Sequence, residues 1–158
     1  MIHRTLSNRK SQIFERCVSE AEKSPMQFKH GCIATIGGKE IGKGYNTFKN
    51  YSKHDNFLEN TCSMHAEINV LRQIYHKAKR RNKLRKMKRV ILYISRVNGL
   101  GTGCGKYNSA PCSRCIEVIK QMNIKKIVYF LDDEFHIEKP VEYNHCHITS
   151  GSKYLSSV

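Results

Sequence analysis

"RVILYISRVNGLGTGCGKYNSAPCSRCIEVIKQMNIKKIVYFL", residues Arg89 to Leu131, contains two compact apolar runs with a Gly-rich stretch and a helical pattern between them. The runs Arg89 to Arg96 and Lys125 to Leu131 are rich in β-branched and aromatic residues. They are apolar enough for central strands covered on both faces. Between them Cys112, Cys115, Ile116, Ile119 and Met122 recur at helical spacing and predict a helix with an apolar inner face. Pro111 suits the start of that helix, where a missing N–H costs nothing. Strand, helix and strand in this order imply an α/β layered fold with parallel strands.

The flanking sequence extends this pattern. Upstream, Met64, Glu67, Ile68, Leu71, Ile74 and Tyr75 share one face of a helix beginning near Met64. Before it, "HGCIATIGGKEIGKGYN" reads as a hairpin hinged on Gly37 and Gly38. A polar loop follows over residues 46–62. Residues 8–24 read as an amphipathic helix, capped by Ser7 or Asn8 and ended by Pro25. Downstream, Asp132 to Glu134 form a tight turn, so "FHIEKPVEY" runs antiparallel to its predecessor. The expectation is a three-layer α/β/α sandwich with a mixed five-stranded sheet. Residues 1–143 would form one domain and residues 144–158 a polar tail.

At 158 residues the chain is long enough for one domain. Such a domain buries roughly 68–70% of its unfolded surface, so it needs no metal or disulfide merely to fold. A hydrophobic content of 39% fits a globular protein, and no apolar run reaches membrane-spanning length. The N-terminal stretch lacks the apolar segment of a signal peptide, and Glu15, Glu20 and Glu22 speak against a transit peptide. We therefore expect a cytoplasmic, intracellular protein whose seven cysteines are reduced thiols or metal ligands. A net charge of +15 favours polyanionic partners. From Lys77 to Arg89, nine of thirteen residues are basic. That run is either a solvated helix end or a phosphate-contacting surface.

Two features resist a purely structural reading. Glu67 sits on the apolar stripe of its helix, where a carboxylate is costly unless paired, neutralised or functional. As a first-turn residue it is also a candidate cap. Cys112 and Cys115 open the later helix, 47 and 50 residues beyond His65. Cys-x-x-Cys on a first turn places both sulfurs on one side, and the positive end of the helix favours thiolate. His65 opens its own helix. Were the two helix starts to converge, one imidazole and two thiolates would leave a fourth tetrahedral position for water, the pattern of catalytic zinc. Glu67 would stand beside the metal, able to accept and return a proton.

"HAE" (His65 to Glu67) together with "PCSRC" (Pro111 to Cys115) resembles the zinc signature of the cytidine and deoxycytidylate deaminase superfamily. The order of elements is similar to that fold over roughly residues 8–131. The resemblance implies a zinc-dependent hydrolase acting on a cytosine nucleoside or nucleotide, with a sandwich of the cytidine-deaminase type. It implies zinc held by His65, Cys112 and Cys115, and Glu67 as the proton shuttle. The Ala66 N–H would contact the base, and Asn46 would bind the sugar. Homo-oligomers are common in this superfamily.

Substrate cues in the sequence disagree. Asn69, in "HAEIN", resembles a form common in deoxycytidylate deaminases, though an ordinary surface Asn fits as well. Ala110 stands where bacterial-type tRNA adenosine deaminases usually carry Glu. The short turn into the last strand resembles free-nucleoside cytidine deaminases. Two alternatives stay open: a deaminase of tRNA or single-stranded DNA using residues 77–89, and a non-catalytic zinc-stabilised nucleic-acid-binding module. Residues 97–110 do not match a phosphate-binding P-loop and read as a rim shaping access. Cys62 and Cys104 are candidate neighbours of the zinc or simply buried thiols. His145, Cys146 and His147, with His54 or Cys17, are candidates for a second metal site.

Overall fold

The computed structural model describes residues 1–53, 55–58, 61–98 and 107–145. In chain order these residues form β1 (Ile2–His3), α1 (Asn8–Glu22), β2 (Lys29–Ile36), β3 (Lys39–Tyr45) and α2 (Ala66–Arg80). Then come β4 (Ile91–Val97), α3 (Ser113–Gln121), β5 (Lys126–Leu131) and β6 (Glu134–Glu138). Short 3-10 helices occupy Leu84–Arg89 and Pro140–Glu142. No helix among the described residues is long and apolar enough to cross a membrane.

The strands make one mixed sheet in the order β1-β6-β5-β4-β2-β3, with β4 and β5 parallel and every other pair antiparallel. The sheet thus has six strands, which corrects the expectation of five. The sixth is β1, only two residues long and paired with His136 and Phe135 of β6. Its ends are tied by bonds of 2.9 Å between Met1 and Ile137 in both directions. A two-residue strand carries no periodicity, so pairing alone defines it.

Local chemistry explains the turns. Gly37 and Gly38 have φ of +58° and +76°, the two left-handed residues of a two-residue hairpin loop between Ile36 and Lys39. Asp132 and Asp133, at φ +53° and +60°, make the equivalent turn between Leu131 and Glu134. Asp tolerates that conformation better than most residues. Helix α1 stops two residues short of its expected end because Ser24 precedes Pro25, which disfavours helical backbone. The Ser24 hydroxyl instead donates to the Asn46 carbonyl at 2.8 Å. Helix α2 likewise starts later than Met64, since that residue is bridged to Thr47 by two bonds of 3.0 Å.

Alternation along the strands builds three layers. Cys32, Ala34, Leu92, Ile94, Ile127 and Tyr129 face α2 and α3, while Ile33, Tyr93 and Val128 face α1. The buried Leu and Ile side chains each contribute about 1.5–3 kcal/mol relative to exposure. On the α1 side the approach is close. A Cβ on Gly31 would lie 2.3 Å from the Cys17 carbonyl oxygen, so only glycine fits there. Ser95 Oγ donates to that same carbonyl at 2.9 Å. The sheet thereby becomes a rigid floor whose far side carries the N-termini of α2 and α3.

Candidate metal centre and active site

His65 and Cys112 are the N-caps of α2 and α3, both in extended backbone and neither making a side-chain cap bond. Ser, Thr, Asp or Asn would normally occupy such positions and bond the free N–H groups of the first turn. Here both side chains are left available for other partners. His65 Nδ1 lies 3.2 Å from Cys115 Sγ and 3.5 Å from Cys112 Sγ. All three donor atoms fall within 4.8 Å of one another. A tetrahedral zinc with ordinary bond lengths would space a nitrogen and a sulfur ligand about 3.6 Å apart, and two sulfurs about 3.8 Å apart. One imidazole and two sulfurs at this spacing fit zinc in both chemistry and size.

The thiols form an asymmetric pair. The Cys115 thiol donates to Cys112, and this bond holds the Cys112 pKa down to about 4 against the opposing effect of burial, with further help from His65. Cys115, which gives that bond, is pushed well above its ordinary value by it and by complete burial. Burial works against protonation of His65, but the hydrogen bond and charge of Cys112 outweigh it and raise the imidazole pKa. Binding a divalent metal would release the Cys115 proton.

Glu67 is 4% exposed and within hydrogen-bonding reach of Cys115. Burial raises its pKa above the usual carboxylate value, and the nearby His65 only partly offsets this. Apolar side chains close the surroundings: Leu58, Met64 and Ile68 pack with Cys112 and Cys115.

Other sequence candidates land in different settings. Ala66 is fully buried and is the first residue of α2, so its N–H has no partner within the helix. Asn46 is buried next to Thr47, accepting from the His30 N–H at 2.8 Å and donating to the Phe28 carbonyl at 2.7 Å. Asn69 Nδ2 donates to the Tyr45 carbonyl at 3.0 Å, fastening α2 to β3 where a Gly44 side chain would collide with it. Cys17 is fully buried, donates to the Tyr93 carbonyl, and has its thiol pushed up to about 12 by burial. Cys62 is exposed.

His145 packs its ring against Tyr129, His136 and Tyr143. His54, Cys104, Cys146 and His147 lie outside the described residues, as does most of the Gly-rich loop. Among the described residues, His65, Cys112 and Cys115 form the one His, Cys, Asp or Glu cluster suited to a metal.

The basic run occupies the far end of α2. Lys77, Lys79 and Arg80 lie in its last turn, where cations oppose the helix dipole, and only Met87 of the following 3-10 helix is buried. At 1.5 Å per residue Arg80 lies about 22 Å along the helix from His65, so the helical part of this run stands away from the metal cluster.

Three supports were not readable from sequence. Ser109, which is 1% exposed, donates to the Ile94 carbonyl at 2.7 Å and accepts from the Phe130 N–H at 2.9 Å, clamping the Cys112 loop between β4 and β5. Tyr143 donates its hydroxyl to the Pro111 carbonyl. Asp55 accepts from Arg72 at 3.0 Å and pairs with His76 at 2.9 Å, pinning the loop that carries Phe57 and Leu58. Each link spans many residues and leaves no motif.

Comparison with known proteins agrees with this geometry. Residues 7–131 match the family model described as the cytidine and deoxycytidylate deaminase zinc-binding region. No curated protein matches the chain by sequence. A cytidine deaminase from Burkholderia pseudomallei is 14% identical, with a TM-score of 0.54, over 87% of this chain and 95% of that one. At that identity the likeness shows a shared fold. A dCMP deaminase from the cyanophage S-TIM5 is 19% identical over 77% of this chain and 82% of that one, with a TM-score of 0.43. Acinetobacter baumannii RibD is 15% identical over 75% of this chain and 27% of its own, with a TM-score of 0.41. With the family match spanning most of its length and including all three metal donors, the chain belongs to the cytidine and deoxycytidylate deaminase zinc-binding family.

Proposed function

We propose that the protein hydrolytically deaminates the cytosine of a nucleoside or nucleotide, giving the uracil product and ammonia. The observation that carries this reading is the buried Glu67 carboxylate beside three metal donors. A purely structural zinc site has no use for such a group, and burying a carboxylate is costly. His65, Cys112 and Cys115 are the residues that would hold zinc. When bound, zinc supplies Lewis acidity, lowering the pKa of a coordinated water from 15.7 to about 7.

Glu67 accepts the proton that the attacking water gives up and passes it to the ring nitrogen next to the reacting carbon. It then carries the second water proton to the departing amine, which leaves as ammonia. Oxygen replaces nitrogen at the carbon, and no oxidant or reductant is consumed. Its raised pKa brings the carboxyl closer to the operating pH, which suits a group that must both take and give a proton. The Ala66 N–H, which has no partner within the helix, donates to the base. Asn46 retains one amide hydrogen and one lone pair for a sugar hydroxyl.

The thiolate ligands call for a reducing, intracellular setting. A homo-oligomer, common in this superfamily, completes the proposal. Ammonia release from cytidine, CMP, dCMP and adenosine by zinc-loaded protein tests the reading. Turnover of a cytosine species supports it; nucleic-acid binding without turnover of any substrate, unaffected by Glu67→Gln, favours the non-catalytic module.

A further inference from the structure

Three aromatic rings stand in solvent around the end of the sheet that carries the metal cluster. Phe28 is 57% exposed, Phe48 65% and Tyr51 67%. The other exposed large apolar side chains among the described residues, Met1, Ile2, Leu84 and Val141, are aliphatic.

Bonding places the rings at this end. Phe28 directly precedes β2, whose Lys29 pairs with Val97 at the end of β4. The Phe28 carbonyl is held by Asn46, Thr47 is bridged to Met64, and His65 follows. Phe48 adjoins Thr47. Tyr51 adjoins Ser52, whose hydroxyl accepts from Arg72 of α2 at 2.9 Å.

Cations lie among the rings. The Arg96 guanidinium carbon is 5.1 Å from the centre of the Phe28 ring. Lys49 and Lys53 are exposed and join no ion pair among the described residues. Asp55, the acidic residue within the described positions 46–58, is already held by Arg72 and His76.

Exposed rings alternating with uncompensated cations match the chemistry of a single nucleic-acid strand. Every base offers a face to stack on, and every phosphate a charge to meet. A duplex keeps its base faces inside the stack and would leave the rings idle. A second copy of this face would bring like charges together.

We propose that this rim binds single-stranded nucleic acid, so that a nucleotide within a strand, as well as a free one, reaches the site while its neighbours stack on Phe28, Phe48 and Tyr51. The proposal rests on the deaminase reading and widens its substrate from the monomer to the strand.

The test uses the zinc-loaded full chain and fluorescein-labelled, cytosine-containing strands of about ten nucleotides, within the length one such surface covers. RNA and DNA versions separate the two sugar chemistries, and a duplex of the same sequence is the control. Anisotropy should show the single strands binding more tightly than the duplex. Phe48→Ala and Tyr51→Ala should each weaken binding by at least about fivefold, the lower end for one stacked base. Their zinc content and turnover of the free substrate should stay unchanged. Equal binding of strand and duplex, or ring variants that bind as well as wild type, would overturn the proposal. So would ring variants that alter the sedimenting mass of the protein alone, which would mark a contact between copies.

The two readings fail separately. Turnover of free cytosine substrates without strand binding removes this inference alone. Ring-dependent strand binding without deamination of any substrate upholds the surface and removes the enzymatic reading.

Discussion

The Tyr143 hydroxyl donates to the Pro111 carbonyl, and the next residue is the metal donor Cys112. Tyr143 is 6% exposed and packs edge-on against Tyr129, so its hydroxyl is fixed from a segment beyond the last strand. It acts as a positioning residue for the cysteine. Tyr143→Phe keeps the ring and removes the bond. Zinc should then dissociate about tenfold faster, the lower end for groups that orient a metal ligand. The metal-free protein should lose only about 1 kcal/mol. Zinc transfer to a chromogenic chelator, set beside urea unfolding of the metal-free protein, measures both. An unchanged rate of zinc loss would reduce Tyr143 to a packing residue.

Ser109 braces the other side of the same loop. Ser109→Ala strips a partner from the Phe130 N–H and from the Ile94 carbonyl, both inside the sheet. Leaving a buried polar group unsatisfied costs about 1–3 kcal/mol, so urea unfolding should show a loss in that range. A loss below about 0.5 kcal/mol, the level of ordinary surface substitutions, would contradict the clamp.

Asp55 supplies a pH-dependent contribution. Burial works to raise its pKa, but the hydrogen bonds from His76 and Arg72 outweigh burial and hold it below the usual carboxylate value. A depressed folded-state pKa gives stability that is present above the unfolded value and is lost as pH falls through the folded one. Asp55→Asn should therefore lower stability at neutral pH and flatten the acid limb of the stability curve below the ordinary carboxyl value of 3.8. Thermal melts of both proteins across the acid range check this. Parallel acid limbs would contradict it.

Cys112→Ala removes one of two sulfur donors while His65 and Cys115 remain. Metal content by mass spectrometry should fall well below one zinc per chain. Full occupancy would remove Cys112 from the ligand set.

How much of this was legible depended on the range of the interaction. The metal donors were legible because Cys112 and Cys115 share one helical turn and His65 caps the other helix, a local pattern of unusual side chains. The hairpin at Gly37 and Gly38 and the turn at Asp132 and Asp133 were legible because left-handed backbone selects few residue types. Strand β1 was not, since two residues have no period. Tyr143 was not, since its partner lies 32 residues away and nothing near it marks the contact. Asn46 was singled out only through the family resemblance, as a sugar-binding residue. What the structure shows is its amide bonded to the backbone of Phe28 and His30, a link that sequence alone did not mark.

The central claim is that Glu67 moves the protons of the reaction beside a metal held by His65, Cys112 and Cys115. Glu67→Gln keeps the shape of the side chain and removes its basicity. Zinc per chain and the rate of ammonia release from the best cytosine substrate, measured on one preparation, test the claim most directly. The account predicts full zinc occupancy with a rate at least about 10²-fold lower, the low end for general acid–base catalysis. Full zinc occupancy with wild-type turnover would contradict it.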